Sequence, residues 1–344
     1  MSPQVRGLLG DTLAEGSGQW AAVVVAEINS CNAARESGNF CPLPTAHCPL
    51  PTGAGGGSRD TIAVMDHKND KQLSAIAKFR ELHQSGCFVL PNPHDAGTAV
   101  YLEHLGFEAV ATTSAGFAFS QGLPDTAAAI PLDAMLRHVG EVARATSLPV
   151  NADFQNGFAD EPEGVATNVV LCAATGVAGL SVEDSTSDGG SLYEFPRAVE
   201  RIRAARAAID DKGIPVILTA RCEAFLVGAE DPLRVALERL VAYAEAGADC
   251  LYAPGGAAPD QIAAIVKAVA PKPVNVLVSR PNPELTVSRL TDLGVRRISV
   301  GSALSQVAWG SFIRAAKMLK DGSFEGFAGA ATYAELNELF AKQT

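Results

Sequence analysis

The sequence lacks an apolar run of membrane-spanning length. The longest run near its start, residues 20–28, is about nine residues long and contains Glu27. A spanning helix needs roughly 20 apolar residues, so no membrane partner is expected. Positive charge is also scarce, with 27 Lys and Arg against 38 Asp and Glu and a formal net charge of −11. Surfaces that hold nucleic acid or anionic lipid need clustered Lys and Arg, so no nucleic-acid partner is expected either. Histidine is rare (six in the chain), and none stands where the later strands end, which argues against a zinc centre. The seven cysteines form no CxxC pair and no even framework. Cys87, Cys172, Cys222 and Cys250 lie in or beside apolar runs and read as buried thiols of a reducing compartment, with the cytoplasm as the expected location. Cys31, Cys41 and Cys48, with His47, match no standard zinc spacing. No basic leader or small-residue cleavage pattern marks a secretory signal. An organelle presequence over 1–64, or a start at Met65, are the alternatives for the N-terminal stretch.

What is present divides into two regions. Residues 1–70 include "CPLPTAHCPLPTGAGGGSRD" and show no sustained periodicity, so they read as a disordered or loosely ordered extension. Residues 71–344 are regular. Short β-rich runs recur at 88–92, 109–114, 149–154, 179–184, 215–221, 250–255, 273–279 and 297–301, each followed by a segment of helical period. Gly106, Gly176, Gly247 and Gly294 stand where left-handed helix stops are expected. Eight β/α alternations over this length predict a (β/α)8 TIM-type barrel. A doubly wound open sheet would carry a Gly-rich phosphate fingerprint after its first strand, and "LPNPHDAGTA" is none. One helix is surplus. "TYAELNELFAKQ" carries Tyr333, Leu336, Leu339 and Phe340 near one face, which predicts a partner surface on another subunit and a homo-oligomer.

Chemistry in such barrels collects at the C-terminal ends of strands. Those ends read Asn92 and Asp95, Thr113 and Ser114, Asp153 and Gln155, Glu183 and Asp184, Arg221 and Glu223, then Tyr252, Ser279-Arg280 and Gly301-Ser302. Oxygen ligands without histidine suit a hard cation, Mg2+ or alternatively Mn2+. Asp153 and Glu183, on adjacent strands, are the metal candidates, with Asp184 as a supporting or capping residue. Arg221 either neutralises the acids or forks onto a substrate carboxylate.

Residues 71–330 resemble the isocitrate lyase/phosphoenolpyruvate mutase superfamily, in its mutase-like branch. The stretches that carry the resemblance are "TTSAGFAFSQGLPD", "LPVNADFQNGF", "GVAGLSVEDS", "ILTARCEAF" and "AYAEAGADCLYAPG". The resemblance implies a Mg2+-dependent barrel acting on 2-oxo or 2-hydroxy acids through an enolpyruvate-type intermediate. It also implies a dimer of dimers that exchanges a C-terminal helix. By position it makes Asp153 and Glu183 metal-site acids acting through water, Asp125 an acid near the metal and substrate, and Arg221 the arginine that meets the substrate. Thr113, Ser114 and Ala115 match the loop that binds the substrate carboxylate and oxygen.

Two departures stand out. The family's metal motif reads Asp-x-Asp or Asp-x-Glu, and here Gln155 follows Asp153 at that spacing, keeping an oxygen but losing a charge. The loop after Glu183, "DSTSDGGSLYEF", has neither the Cys nor the His of isocitrate and methylisocitrate lyases. Gly190-Ser191-Leu192 keeps two letters of the Asn-Ser-Leu of C–P enzymes, which makes Ser191 a substrate-side candidate. The loop reads as a mobile cover, with Ser191 as a helix N-cap and Glu194 completing a capping box. The expected function is a Mg2+-dependent lyase or decarboxylase cleaving a C–C bond of a small 2-oxo or 2-hydroxy diacid. The alternatives are C–P chemistry on phosphonopyruvate, or a catalytically weak barrel that binds a metabolite.

Overall fold

The computed structural model describes residues 59–341, with side chains from Asp70 onward. The extension expected over 1–70 and the cysteines at 31, 41 and 48 therefore fall almost wholly outside the described residues. Within them the eight predicted strands form one parallel sheet. They are β1 (Phe88–Leu90), β2 (Val110–Ala111), β3 (Val150–Asp153), β4 (Gly179–Glu183), β5 (Ile217–Arg221), β6 (Cys250–Tyr252), β7 (Val274–Leu277) and β8 (Arg297–Ser299). The strands pair in sequence order from β2 to β8, and β1 closes onto β8 with Phe88 opposite Arg297. The β1–β2 seam has no regular ladder. It is held by the Ala111 N–H donating to the Pro91 carbonyl at 3.0 Å and by Asn92 Nδ2 donating to the Thr112 carbonyl at 2.9 Å. Asn92 Oδ1 accepts from the N–H groups of Val300 and Gly301, so one amide joins β1 to both neighbours. The architecture is a (β/α)8 barrel.

Helix α1 (Arg59–Gln84) precedes β1. The others in chain order are α2 (Ala96–His104), α3 (Ser114–Ser120), α4 (Leu132–Ala145), α5 (Pro162–Ala173), α6 (Phe195–Lys212), α7 (Pro232–Glu245), α8 (Pro259–Val269), α9 (Val287–Asp292), α10 (Ala303–Lys320) and α11 (Tyr333–Ala341). Their limits follow local chemistry. Helices α5 to α8 carry proline in the first turn, where a missing N–H has no helical partner to lose. Gly106, Gly176, Gly247 and Gly294 all have positive φ, as the stop signals predicted. Among the described residues no helix is long and apolar enough to cross a membrane.

The N-terminal end of the barrel is stopped by α1. Phe79 is fully buried there and packs edge-on to His83 and Phe88, with ring centroids at 4.6 and 6.1 Å. Gly179 on β4 makes room: a Cβ at that position would stand 2.8 Å from the Phe79 ring and 3.0 Å from the Ile217 carbonyl oxygen. Above the plug the interior is unusually polar for such a barrel, which is normally filled by branched apolar side chains. Arg297, 2% exposed, spans it. Its guanidinium donates to Asn275 Oδ1 at 2.9 Å and Thr219 Oγ1 at 3.0 Å, and contacts His83 Nε2 at 3.3 Å. Donation by Arg297 fixes His83 Nε2 as an acceptor, so Nδ1–H donates to the Phe79 carbonyl at 2.7 Å. Burial, with Arg297 nearby, holds His83 neutral by lowering its pKa to about 3.

The apolar face assigned to the terminal helix is partly covered by its own chain: Leu339 is only 8% exposed, and the Phe340 ring lies over Gly97 of α2. Tyr333, by contrast, is 90% exposed. The larger uncovered apolar surface belongs to the helix before it. In α10 only Ser305 is buried, while Val307 is 67% and Phe312 62% exposed. The helix after β8 therefore does not bury an apolar stripe on the barrel.

Candidate active site

Strand register delivers the acids. Glu183 on β4 and Arg221 on β5 are Cα partners, and Arg221 is in turn opposite Tyr252 on β6. Asp153 ends β3 one strand away. Arg221 Nη1 lies 2.9 Å from Asp153 Oδ1 and 2.8 Å from Glu183 Oε1, and Nε lies 2.9 Å from Glu223 Oε1. The Tyr252 ring lies beneath it, 4.9 Å from Cζ to centroid. Asp153 Oδ2 accepts from the Ser114 N–H at 2.9 Å, and Asp184 holds Glu223 by accepting from its N–H at 2.8 Å. Asp184 is itself buried against Arg239 at 3.1 Å and the Tyr243 hydroxyl at 2.6 Å, the supporting role expected of it.

Gln155 turns the chain out of β3. Its φ is +44°, a left-handed conformation that non-glycine residues adopt at some strain. Its carbonyl accepts from the Glu183 N–H at 2.8 Å, and its Nε2 donates to Asp125 Oδ1 at 3.0 Å. Asp125, on the loop between α3 and α4, thereby joins the strand-end acids. Thr113 caps α3, accepting from the Gly116 N–H at 3.2 Å. Gly116 has to be glycine, because a Cβ there would stand 2.6 Å from Thr113 Cγ2 and 2.9 Å from His94 Cβ. Ser114 enters the site and Ala115 follows it on the same helix. In this arrangement the Ser114 N–H is committed to Asp153 and is not free for a ligand.

The electrostatics favour a cation. Asp125, Asp153, Glu183 and Glu223 face a single guanidinium. Burial pushes Glu183 well above the usual carboxylate range; Arg221 opposes this, while Glu223, Asp153 and Asp125 add to it. Burial and the Asp153 charge raise Asp125, against hydrogen bonds from Ser114 and Gln155. Burial disfavours the charge on Arg221, yet Glu183, Glu223 and Asp153 together raise its pKa well above the ordinary value. Tyr252 is pushed up to about 12, first by burial. Among the described residues no group of three or more His, Cys, Asp or Glu is arranged to hold a metal: Arg221 stands between Asp153 and Glu183, and position 155 is an amide. The donor chemistry nevertheless fits a hard divalent ion. All candidate donors are oxygens, the acids outnumber the cation, and Gln155 Oε1 is buried with no hydrogen-bond partner.

The loop after β4, expected as a mobile cover, has hydrogen-bonded structure of its own. Residues 185–192 form a small hairpin with Ser185 bridged to Leu192. The Thr186 N–H donates to the Ser191 carbonyl at 2.8 Å, and Asp188 Oδ1 accepts from the Thr186 hydroxyl and the Gly190 N–H. Ser187 ties it down. Its carbonyl accepts from the Ala128 N–H at 3.2 Å, and its hydroxyl lies 3.1 Å from Asn156 Nδ2 and 3.2 Å from Asp160 Oδ1. Beneath lies a cavity of about 60 Å3, lined among others by Ser114, Asp125, Gln155, Glu183, Ser185 and Ser187. Ser191 is not among its lining residues; it lines an outer groove with Asp160 and Arg197. Ser191 is also not the cap of α6. That helix begins after Glu194 with no side-chain cap and with Pro196 in its first turn. The structure thus brings Asp125, Asp153, Gln155, Glu183, Arg221 and Ser114 together; Glu223 was read at the end of the fifth strand without a role, and Ser187 was not singled out. Strand alternation already places Glu223 on the Arg221 side; nothing in the loop sequence singles out Ser187.

A barrel with this acid-rich mouth defines the class, and comparison with known proteins agrees. The family model for phosphoenolpyruvate phosphomutase matches residues 79–320. The chain belongs to that family, within the isocitrate lyase/phosphoenolpyruvate mutase superfamily. A solved structure from Burkholderia cenocepacia J2315, provisionally described as a lyase/mutase, is 46% identical with a TM-score of 0.74, covering 79% of this chain and 97% of its own. Oxaloacetate acetylhydrolase, solved with its product oxalate, is 28% identical with a TM-score of 0.71, covering 78% and 95%. The 2,3-dimethylmalate lyase of Eubacterium barkeri is 32% identical over 191 residues, which is 52% of this chain and 63% of that enzyme.

Proposed function

We propose that this chain is a lyase that breaks a C–C bond of a small 2-oxo or 2-hydroxy diacid, with Mg2+ as its metal. The observation that carries this reading is the single guanidinium of Arg221, held between Asp153 and Glu183 at the open end of the barrel. An arginine fixed among acids is a prepared fork for a carboxylate. Asp153, Glu183 and Gln155 would hold the metal, in part through water. When bound, Mg2+ would supply positive charge to carboxylate and neighbouring oxygens of a ligand. Arg221 orients a carboxylate by exchanging one of its acid partners for the ligand. Asp125, its pKa raised, is placed to hold or accept a proton from a substrate oxygen. The Ser187-anchored hairpin and the Asp125 loop keep bulk water from the enolate.

The family model itself favours a second reading, C–P chemistry on phosphonopyruvate. Against it, the loop lacks the asparagine of that motif, and Ser191 lines the outer groove. The test is an assay of 2-hydroxy diacids, 2-oxo diacids and phosphonopyruvate, each with Mg2+ and with EDTA. Metal-dependent release of a 2-oxo acid or oxalate from a diacid supports the lyase. Turnover of phosphonopyruvate alone supports the second reading. The exposed apolar face of α10 supports a homo-oligomer, a dimer of dimers, whose contact includes Val307 and Phe312. A monomeric mass by light scattering at micromolar concentration would refute it.

A further inference from the structure

On the chain leaving β3, no main-chain N–H among the described residues answers the consecutive carbonyls from Asn156 to Asp160, and two side chains take them all. Arg201 on α6 donates through Nη2 to the Asn156 carbonyl, and through Nη1 to those of Ala159 and Asp160, the last at 2.8 Å. Asn168 on α5 donates through Nδ2 to Gly157 at 2.9 Å and to Phe158 at 3.1 Å. Arg201 is 1% exposed, and its Cζ lies 4.0 Å from the centre of the Tyr193 ring, so the guanidinium is held from a second side. The stretch so gripped is the strained one. Among the described residues the non-glycine positions with positive φ are Gln155 at +44° and Phe158 at +54°. Such conformations persist only where the surroundings over-determine them. The turn's own bonds are few: the Gly157 N–H donates to the Phe154 carbonyl at 2.9 Å and the Phe158 N–H to Asn156 Oδ1 at 3.0 Å. Asn156 Nδ2 adds a tie to Ser187 and Tyr193 of the neighbouring loop.

We infer that Arg201, seconded by Asn168, is a positioning residue of the site: it locks the turn after β3 so that Gln155, at positive φ, turns its carbonyl to the Glu183 N–H and its side chain to Asp125. This rests on the reading of Gln155 as part of the metal-holding mouth, and deepens it by naming what keeps that residue there. A guanidinium suits the task because its donors form a rigid planar fork. The carbonyls it takes are fixed relative to one another and not merely satisfied. A lysine in its place offers a single ammonium on a flexible stem and cannot hold the same spacing. Without the fork, the lower-energy course is for Gln155 to relax to negative φ, which turns its peptide away from Glu183 and withdraws its side chain from the mouth.

The full chain offers two readouts: Mg2+ affinity by calorimetry, and amide hydrogen exchange at Glu183, whose N–H meets the Gln155 carbonyl. The Leu251 amide, bonded to the Pro273 carbonyl at 3.0 Å, is the reference for general loosening. R201M is expected to weaken Mg2+ binding about tenfold or more. Its Glu183 exchange should rise about tenfold relative to that of Leu251. N168A should move both readouts the same way by about two- to fivefold, and it keeps the test intact if R201M fails to fold. R201K should fall between R201M and the wild-type chain. A buried arginine that only held the fold together would lower the melting temperature and quicken both amides alike, with Mg2+ affinity unchanged in the folded protein; that result overturns the inference. If the wild-type chain takes up no Mg2+, the metal reading fails and the exchange ratio alone decides. A ratio raised in the variants then upholds the positioning role of Arg201, and a ratio unchanged in both overturns it.

Discussion

The barrel buries an arginine at each end, and the two are treated in opposite ways. At the mouth, Arg221 is surrounded by Asp153, Glu183 and Glu223. At the floor, Arg297 has only an amide, a hydroxyl and a neutral imidazole as partners. The mouth has more negative charge than its cation neutralises, and the floor has a cation that no acid pairs. A buried charge group with excess of one sign is poorly suited to holding a fold together and well suited to receiving a ligand of the other sign. A buried cation whose donors all meet neutral acceptors is a structural strut. The same residue type thus marks a site at one end and packing at the other, and its neighbours decide which.

The largest effect should come from breaking the mouth. Arg221→Met leaves its acids facing one another without a cation, and should lower stability by about 3–5 kcal/mol in urea unfolding near neutral pH. It should also weaken diacid binding about a hundredfold or more by calorimetry. If R221M binds diacids normally, the guanidinium is not the carboxylate fork.

The floor should respond to acid. His83 is held neutral with a pKa of about 3, below its unfolded value of about 6.5. The unfolded chain therefore takes up the proton first. Stability is present above the unfolded pKa and is lost as pH falls through the window down to the folded one. At about pH 5 the loss from this group alone should reach about 2 kcal/mol relative to about pH 8. His138, lowered to about 4 by burial in a stack on Phe117, adds a loss of the same sign. His83→Phe should flatten the acid limb of the stability profile; an unchanged slope would show that His83 is not neutral in the fold.

The mouth should show the opposite sign. Glu183 has a raised folded pKa, so its favourable contribution belongs to low pH and is lost as pH rises through that value. Glu183→Gln leaves Arg221 with Asp153 and Glu223. Measured at about pH 8 without added metal, it should stabilise the protein by about 1 kcal/mol while abolishing Mg2+-dependent turnover. A destabilised E183Q would mean that the three-acid arrangement is a stabilising network after all.

The smallest effect concerns the cover. Ser187→Ala removes the hydroxyl that ties the hairpin to Asn156 and Asp160, while the backbone bond from Ala128 remains. Opening should become about two- to tenfold more frequent, read as faster proteolysis within 185–192. Saturating Mg2+ and oxalate should restore protection. Identical cleavage rates would leave the hydroxyl without a part in closure.

The same contrast explains what could be read from the sequence. Strand and helix alternation was legible because eight parallel strands are buried on both faces and flagged by glycine stops at Gly106, Gly176, Gly247 and Gly294. Strand ends were less so. The run expected over 109–114 is a strand only at Val110–Ala111, because Thr113 already caps α3. The mouth was legible because chemistry gathers where strands end, so Asp153, Glu183 and Arg221 could be placed by register alone. Gln155 was read at the end of its strand, Asp125 came from the resemblance, and the hydrogen bond between them came from the fold. Ser191 was misplaced because a loop carries no period from which its outward position could be read. Arg297 drew no notice, since the second of two adjacent arginines ahead of a short apolar run gives no sign that its partners lie on β5, β7 and α1.

One feature of the floor bears on where an independently folding unit can begin. The strand pattern starts at Phe88, and a chain cut just ahead of it would contain all eight β/α repeats. It would lack Phe79 and His83, and the hollow that Gly179 leaves would open to water. Solvent could then reach Arg297 from below, and the imidazole that fixes one face of its guanidinium would be gone. The repeats alone are a tube, and the stopper is supplied by a helix outside them. The minimal domain is therefore longer at its N-terminal end than its own periodicity advertises, and a truncation series should lose cooperative unfolding as the cut passes Phe79, before any strand is touched.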